Sequence, residues 1–282
     1  MHTSIVKNLP KATVEIQITI PWTDIKETYD NIFNNVLKGT EIPGFRKGKV
    51  PKKLVEDKID KTKIYEEVVK QIIPKVYAQI LEENKLVPVS TPKFELIKAK
   101  ENEEWIIKAT IALKPKINLK GYKEKIKEIK QGKTKIWVPG ESTDKKEEKK
   151  LTLDDIVRAL AEEVEIEFSD ILISDETNRL LSNLIDQTQK LGLTIEQYLT
   201  AKGKTIESIR AEYANQSVRN LTIEFALSEI ADKENIVVTQ KDIDDLINKV
   251  EKDEDRDKLK KDSYYLAHLI RQQKTLDFLA SL

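Results

Sequence analysis

The chain has 282 residues, 35% of them charged and 39% in the apolar set AVILMFWYC, with 49 basic and 49 acidic side chains. At roughly 100–200 residues per domain this length suggests about two domains, and the apolar content is low without being that of a disordered chain. With no cysteine and only His2 and His268, disulfides, thiolate zinc sites and clustered histidine metal sites are excluded. The apolar runs are far shorter than the ~20 residues a membrane-spanning helix needs, and no secretory h-region is visible. The default expectation is a cytoplasmic, metal-free protein.

The zero net charge conceals a division. Residues 1–113 hold 19 Lys+Arg against 16 Asp+Glu, residues 114–150 hold 13 against 6, and residues 151–282 hold 17 against 27. A basic front and an acidic back suggest two modules with different partners.

The first module reads as α+β. Residues 13–20 alternate apolar and polar with period two, which predicts a strand with one buried face. Pro21 and Thr23 open a helix carrying Ile25, Tyr29, Ile32, Phe33 and Val36 at helical spacing, and Gly39 stands where a glycine ends one. A second helix is predicted over about 62–84, with Pro74 expected to kink or split it. Strands follow near 94–99 and 105–113, the latter with Trp105, Ile107, Ala109, Ile111 and Leu113 on one face. The order implies a small antiparallel sheet backed by helices.

Residues 114–150 lose periodicity and end in ESTDKKEEKK, so they read as a basic linker with one short strand near 135–138. The third part, 151–282, reads as all-α. Thr152, Ser174, Thr194, Thr205 and Thr239 are N-cap types ahead of apolar-periodic runs, and Thr194/Gln197 and Thr239/Asp242 have capping-box spacing or a close variant. Helices are predicted over roughly 152–163, 174–190, 194–201, 205–231, 239–251 and 255–280, joined by short turns as a set of extended arms.

One segment stands apart: Ile42-Pro43-Gly44-Phe45-Arg46-Lys47-Gly48-Lys49-Val50-Pro51-Lys52-Lys53. It holds five cations and no acid from Gly44 onward. A nucleotide-binding P-loop fails on two counts. Three residues rather than four separate the glycines, and Val50 stands where Ser or Thr would hold magnesium. A solvated turn between two helices is the plain alternative. Phe45 argues against it, because an aromatic ring in a charged loop has no core to enter unless a partner covers it. The acid clusters Asp242-Asp244-Asp245 and Glu251-Asp253-Glu254-Asp255 lack the glycine and glutamate of a calcium loop and read as solvated faces. His268 reads as a half-buried packing residue.

Gly44-Phe45-Arg46-Lys47-Gly48-Lys49-Val50-Pro51 resembles the ribosome-docking signature Gly-Phe-Arg-x-Gly-x-x-Pro of the trigger factors, ribosome-associated chaperones of bacteria. The resemblance covers about residues 3–120. It resumes over about 150–282, where Glu165–Ser174 is similar to the turn into the family's first helical arm. It implies that Gly44, Phe45, Arg46, Lys47, Gly48 and Lys49 dock on the large ribosomal subunit near the exit tunnel. In that setting Arg46 meets an acidic group of a ribosomal protein, Phe45 a small apolar site, and Lys47 and Lys49 RNA phosphate. It also implies a helical cradle for unfolded or nascent chains that needs no ATP and no cofactor. Leu180, Leu184, Tyr198, Tyr213, Phe225, Tyr264 and Tyr265 are the candidates to line it, with ordinary core packing the competing reading for each. Typical members carry an FKBP-like prolyl isomerase domain between the two parts. The 37 residues of 114–150 are too few for the roughly 100 of a compact domain, so no enzyme is expected. Two other readings stay open at this stage: a residual prolyl isomerase, and a plain RNA-binding protein using the basic 44–53 loop. The sequence also leaves a homodimer open.

Overall fold

The computed structural model describes residues 2–39, 60–134, 151–248, 250, 256 and 259–282. The chain forms two compact units, Met1–Lys114 and Pro115–Leu282.

The first unit is a four-stranded antiparallel sheet backed by two helices. In chain order it contains β1 (Thr3–Leu9), β2 (Thr13–Ile20), α1 (Trp22–Gly39), α2 (Lys61–Glu83), β3 (Lys93–Lys98) and β4 (Trp105–Ala112). The strand order is β1-β2-β4-β3. Period-two alternation does what it must: Val14, Ile16, Ile18 and Ile20 of β2 pair with Ile111, Ala109, Ile107 and Trp105 of β4, and all eight side chains are buried. They pack against Ile25, Ile32 and Phe33 of α1 and Ile64, Val68, Ile73, Val76 and Ile80 of α2. The opposite face is polar, with Lys108 Nζ 2.6 Å from Glu95 and 4.0 Å from Glu15.

Two features depart from expectation. β1 has no counterpart in the sequence reading, because its edge position leaves Ile5 65% exposed and blurs the alternation. Pro74 does not split α2, which runs unbroken through it. Pro74 is exposed, so its ring meets solvent while Ile73 and Val76 keep the helix on the sheet.

The second unit is helical with one small two-stranded sheet. It contains β5 (Ile117–Asn118), α3 (Tyr122–Thr134), α4 (Leu153–Glu163), β6 (Glu165–Ile166), α5 (Asp170–Lys190), α6 (Ile195–Ala201), α7 (Ile206–Lys233), α8 (Gln240–Asn248) and α9 (Ser263–Ser281). β5 and β6 pair antiparallel, Ile117 with Ile166. Here the linker expectation needs correction. Residues 117–134 are a strand and a helix built into this unit, with Leu119, Tyr122 and Ile126 buried against Ile156, Leu160, Leu227, Ile230 and Leu279. The short strand expected at 135–138 lies outside the described residues.

Most cap assignments match the observed helix starts. Thr152, Thr194 and Thr205 each close a capping box, and Thr239 is bonded reciprocally with Asp242. Ser174 is not a cap: Ser169 holds that place by accepting from Ile171 N, so α5 starts four residues earlier than expected. The helix expected over 255–280 is broken by a turn at Asp262: residues 256 and 259–261 are helical, and the last helix begins at Ser263. Among the described residues no helix is long and apolar enough to cross a membrane.

Candidate functional site

The Gly44–Lys49 motif lies outside the described residues, but the elements that carry it do not. α1 and α2 pack side by side on the sheet, joined by the segment that holds the motif. Tyr29, Phe33, Tyr65 and Trp105 form an aromatic run between them, with ring centroids 4.9–6.3 Å apart. Burial, with Glu101 adding to it, pushes the Tyr65 phenol up to about 12, so the phenol is neutral at working pH. Asp60 caps α2 by accepting from Thr62 N at 3.0 Å. The two helix ends from which the motif departs are thus fixed by packing and by a cap.

The seven candidate cradle residues fall into three groups. Leu184, Tyr198 and Tyr213 come together with Leu199 and Ile209 in a small core where the end of α5, α6 and the start of α7 meet. This is the packing role rather than an open wall. Leu180 is half-buried on α5. Phe225 is also half-buried, its ring centroid 5.7 Å from that of Phe168. Only Tyr264 and Tyr265 stand free on α9, 90% and 60% exposed. His268 is exposed one turn further along, not half-buried as expected.

Other apolar side chains share this exposure and were not picked out from the sequence. Leu191, Leu193 and Ile206 flank the two turns around α6, and Leu153, Val218 and Val237 are open elsewhere. A signal existed. Leu191-Gly192-Leu193 is an apolar pair around a glycine at φ 73°, and a tight turn of that kind has no interior to bury it. Two grooves add concave surface. One of about 560 Å³ runs between α4 and α7, with Val157, Ala161 and Ile223 beside Arg158, Gln216 and Arg219. Another of about 430 Å³ lies between α8 and the start of α9, lined by Ile243 and Ile247.

A polar tie holds α3 in place. The Tyr122 hydroxyl donates to Glu234 Oε1 at 2.9 Å, and Lys123 Nζ meets the same oxygen at 2.7 Å. Lys123, then Tyr122, hold the Glu234 carboxyl below its usual range, and burial with Glu234 drives the Tyr122 phenol up. Among the described residues there is no group of three or more His, Cys, Asp or Glu arranged to hold a metal ion. Asp242 is committed to its cap and to Lys274 at 2.6 Å.

These features define a class: an α+β unit whose paired helices are joined by a segment bearing the Gly-Phe-Arg motif, followed directly in sequence by a capped-helix unit with scattered open apolar groups. The family profile described as "Bacterial trigger factor protein (TF)" matches residues 1–146, and that for the "Bacterial trigger factor protein (TF) C-terminus" matches residues 129–281. The chain belongs to the bacterial trigger factor family. The two matched spans overlap, so the N- and C-terminal parts join with no isomerase domain between them.

Among its relatives is a trigger factor of Mycolicibacterium smegmatis, 33% identical over 116 residues, which are 41% of this chain and 25% of that one. Another, of Staphylococcus epidermidis, is 25% identical over 264 residues, covering 88% of this chain and 59% of its own. The chain therefore spans a quarter to three fifths of the length of these two relatives. A solved chain described under "Promiscuous Substrate Recognition in Folding and Assembly Activities of the Trigger Factor Chaperone" superposes with a TM-score of 0.61 at 12% identity, covering 98% of this chain and 99% of its own. At that identity the likeness is one of fold.

Proposed function

We propose that this protein is an ATP-independent chaperone that docks on the large ribosomal subunit near the exit tunnel and shields nascent or unfolded chains. The observation that carries the reading is the complete Gly-Phe-Arg-x-Gly-x-x-Pro match at Gly44–Pro51 in a member of this family. Phe45 is the apolar anchor, Arg46 the partner of an acidic protein group, and Lys47 and Lys49 the phosphate contacts. The acidic second unit stays off ribosomal RNA. It offers unfolded chains the open Tyr264 and Tyr265, together with Leu180 and Phe225 at its half-buried margin. Leu184, Tyr198 and Tyr213 pack in a separate small core of the same unit. The work is binding in the cytoplasm, not catalysis of proline isomerisation.

Co-sedimentation with ribosomes tests this. Replacing Phe45, Arg46 and Lys47 together by Ala abolishes pelleting and leaves the melting temperature nearly unchanged. Two to four phosphate contacts give a log–log salt slope of about −2 to −4. A triple variant that still pellets sinks the docking assignment, and a slope near zero removes RNA from it. Prolyl isomerisation above background by the purified chain would contradict the non-enzymatic reading.

A further inference from the structure

β3 is an edge of the four-stranded sheet. β4 pairs with it on one side, and no strand among the described residues pairs with it on the other. The outer row of N–H and C=O groups on such an edge is a template for another extended backbone. Phe94, Leu96 and Ile97 stand along it, 38%, 57% and 59% exposed. Phe94 and Leu96 lie opposite Ala109 and Ile107, on the sheet face that the helices cover elsewhere. Tyr77 of α2 reaches Phe94 edge-on, with ring centroids 5.5 Å apart. Beyond it the strand is bare, and Ile97 sits at the register shift between Leu96 and Lys98.

The lysines along this edge are not all paired. Glu95 is taken by Lys108 at 2.6 Å and Lys98 by Glu103 at 2.8 Å. Lys93 at the strand's start and Lys100 just past its end form no ion pair among the described residues and act only at longer range, Lys93 on Glu95 and Lys100 on Glu103, so the apolar stretch is bracketed by two exposed lysines outside any ion pair. A second copy is a poor occupant. Antiparallel pairing over the full strand sets Lys93 of each copy opposite Lys98 of the other, and like charges directly opposed are destabilising.

We propose that the β3 edge docks an extended polypeptide segment, apolar in its middle and acidic at both ends, by adding it as a fifth strand. Lys93 and Lys100 are seven residues apart, about 23 Å of extended chain at ~3.3 Å per residue, so the two acids stand six to eight residues apart. The proposal rests on the reading that the chain binds unfolded polypeptides. It names one chemical class of segment and gives it a place on the first unit, separate from the helical surface.

The test is fluorescence anisotropy with the full chain and the labelled, end-blocked peptide Asp-Thr-Val-Ile-Val-Thr-Asp. Lys in place of both Asp weakens binding at least tenfold, and so does N-methylation of alternate backbone amides. Leu96→Lys, an exposed change that leaves circular dichroism intact, removes binding. Lys93→Glu shifts preference toward the Lys-ended peptide. Absence of saturable binding, equal binding of the N-methylated peptide, or an indifferent Leu96→Lys variant overturns the proposal. So does self-association of the chain that Leu96→Lys abolishes, since a second copy then occupies the edge. Aggregation suppression of a denatured client, followed by light scattering, separates this proposal from the reading beneath it. Leu96→Lys keeps that suppression if the helical unit is the main client surface, and a wild-type chain without suppression refutes the chaperone reading whatever the peptide does.

Discussion

Ala12 occupies a backbone position that suits glycine. The β1–β2 hairpin turns on Lys11 and Ala12 at φ 58° and 50°, with Thr13 N donating to Pro10 O at 3.3 Å. Two successive left-handed residues match the twist of a hairpin, but each costs an L-residue roughly 1–2 kcal/mol. Ala12→Gly removes that strain at one position and keeps the backbone carbonyl to which Leu113 N donates at 2.8 Å. Glycine's extra freedom when unfolded takes back part of the gain, leaving a rise in stability of about 1 kcal/mol. Urea denaturation checks it, and a lower midpoint would show that the turn is not strained. Tyr77 poses a different question. Its hydroxyl is buried with no hydrogen-bond partner among the described residues, and burial pushes the phenol up. Leaving a buried polar group unmade costs about 1–3 kcal/mol. Tyr77→Phe keeps the ring against Phe94 and is therefore neutral or stabilising by about 1 kcal/mol. A loss of that size instead would reveal a partner for the hydroxyl. Neither position was legible in the sequence, because Ala and Tyr are unremarkable letters until the backbone angle and the missing partner are known.

Elements were legible where their residues obey one period. β2 and β4 show the alternation because the helices bury one whole face of each, and α4, α6 and α7 announce themselves through threonine caps. α3 was obscured by composition. Tyr122, Ile126 and Ile129 have helical spacing, but four lysines lie between Gly121 and Gln131 and the mean pattern reads as solvated chain. α8 carries a pH-dependent contact. Lys274, then the Thr239 cap, hold the Asp242 carboxyl at about 2, below its ordinary 3.8. A depressed carboxyl contributes stability that is fully present above its unfolded value and is lost as pH falls through its folded one. The contribution therefore stands unchanged from neutral pH to about 4 and disappears between about 4 and about 2. Asp242→Ala lowers the melting temperature at pH 7, and the gap from the parent chain closes across that window. A gap that stays constant to pH 2 would mean that the carboxylate's charge plays no part in holding α8.

Across the whole molecule, the swing from a basic front to an acidic back was readable from charge alone. The place of residues 117–134 was not, because it depends on what the second unit lacks without them. Leu119, Tyr122 and Ile126 cover the side of the core made by Ile156, Leu160, Ala226, Leu227, Ile230 and Leu279. Lys123 and Tyr122 supply the partners of Glu234. A fragment of residues 151–282 keeps every cap from Thr152 onward and loses all of these contacts. Burial of an apolar side chain contributes about 1.5–3 kcal/mol. Losing three such side chains therefore destabilises the fragment by on the order of 5 kcal/mol relative to residues 115–282. That is comparable with the whole stability of a typical domain. The expected outcome is that 115–282 unfolds in one cooperative transition, while 151–282 has a much lower urea midpoint or exposes its uncovered face to a hydrophobic dye. Of the two, 115–282 is expected to suppress aggregation of a denatured client as a folded binding surface and not to pellet with ribosomes, since it lacks the Gly44–Lys49 motif and is acidic overall. Equal urea midpoints for the two fragments would show that α3 is an attachment to the helical unit and not part of its core.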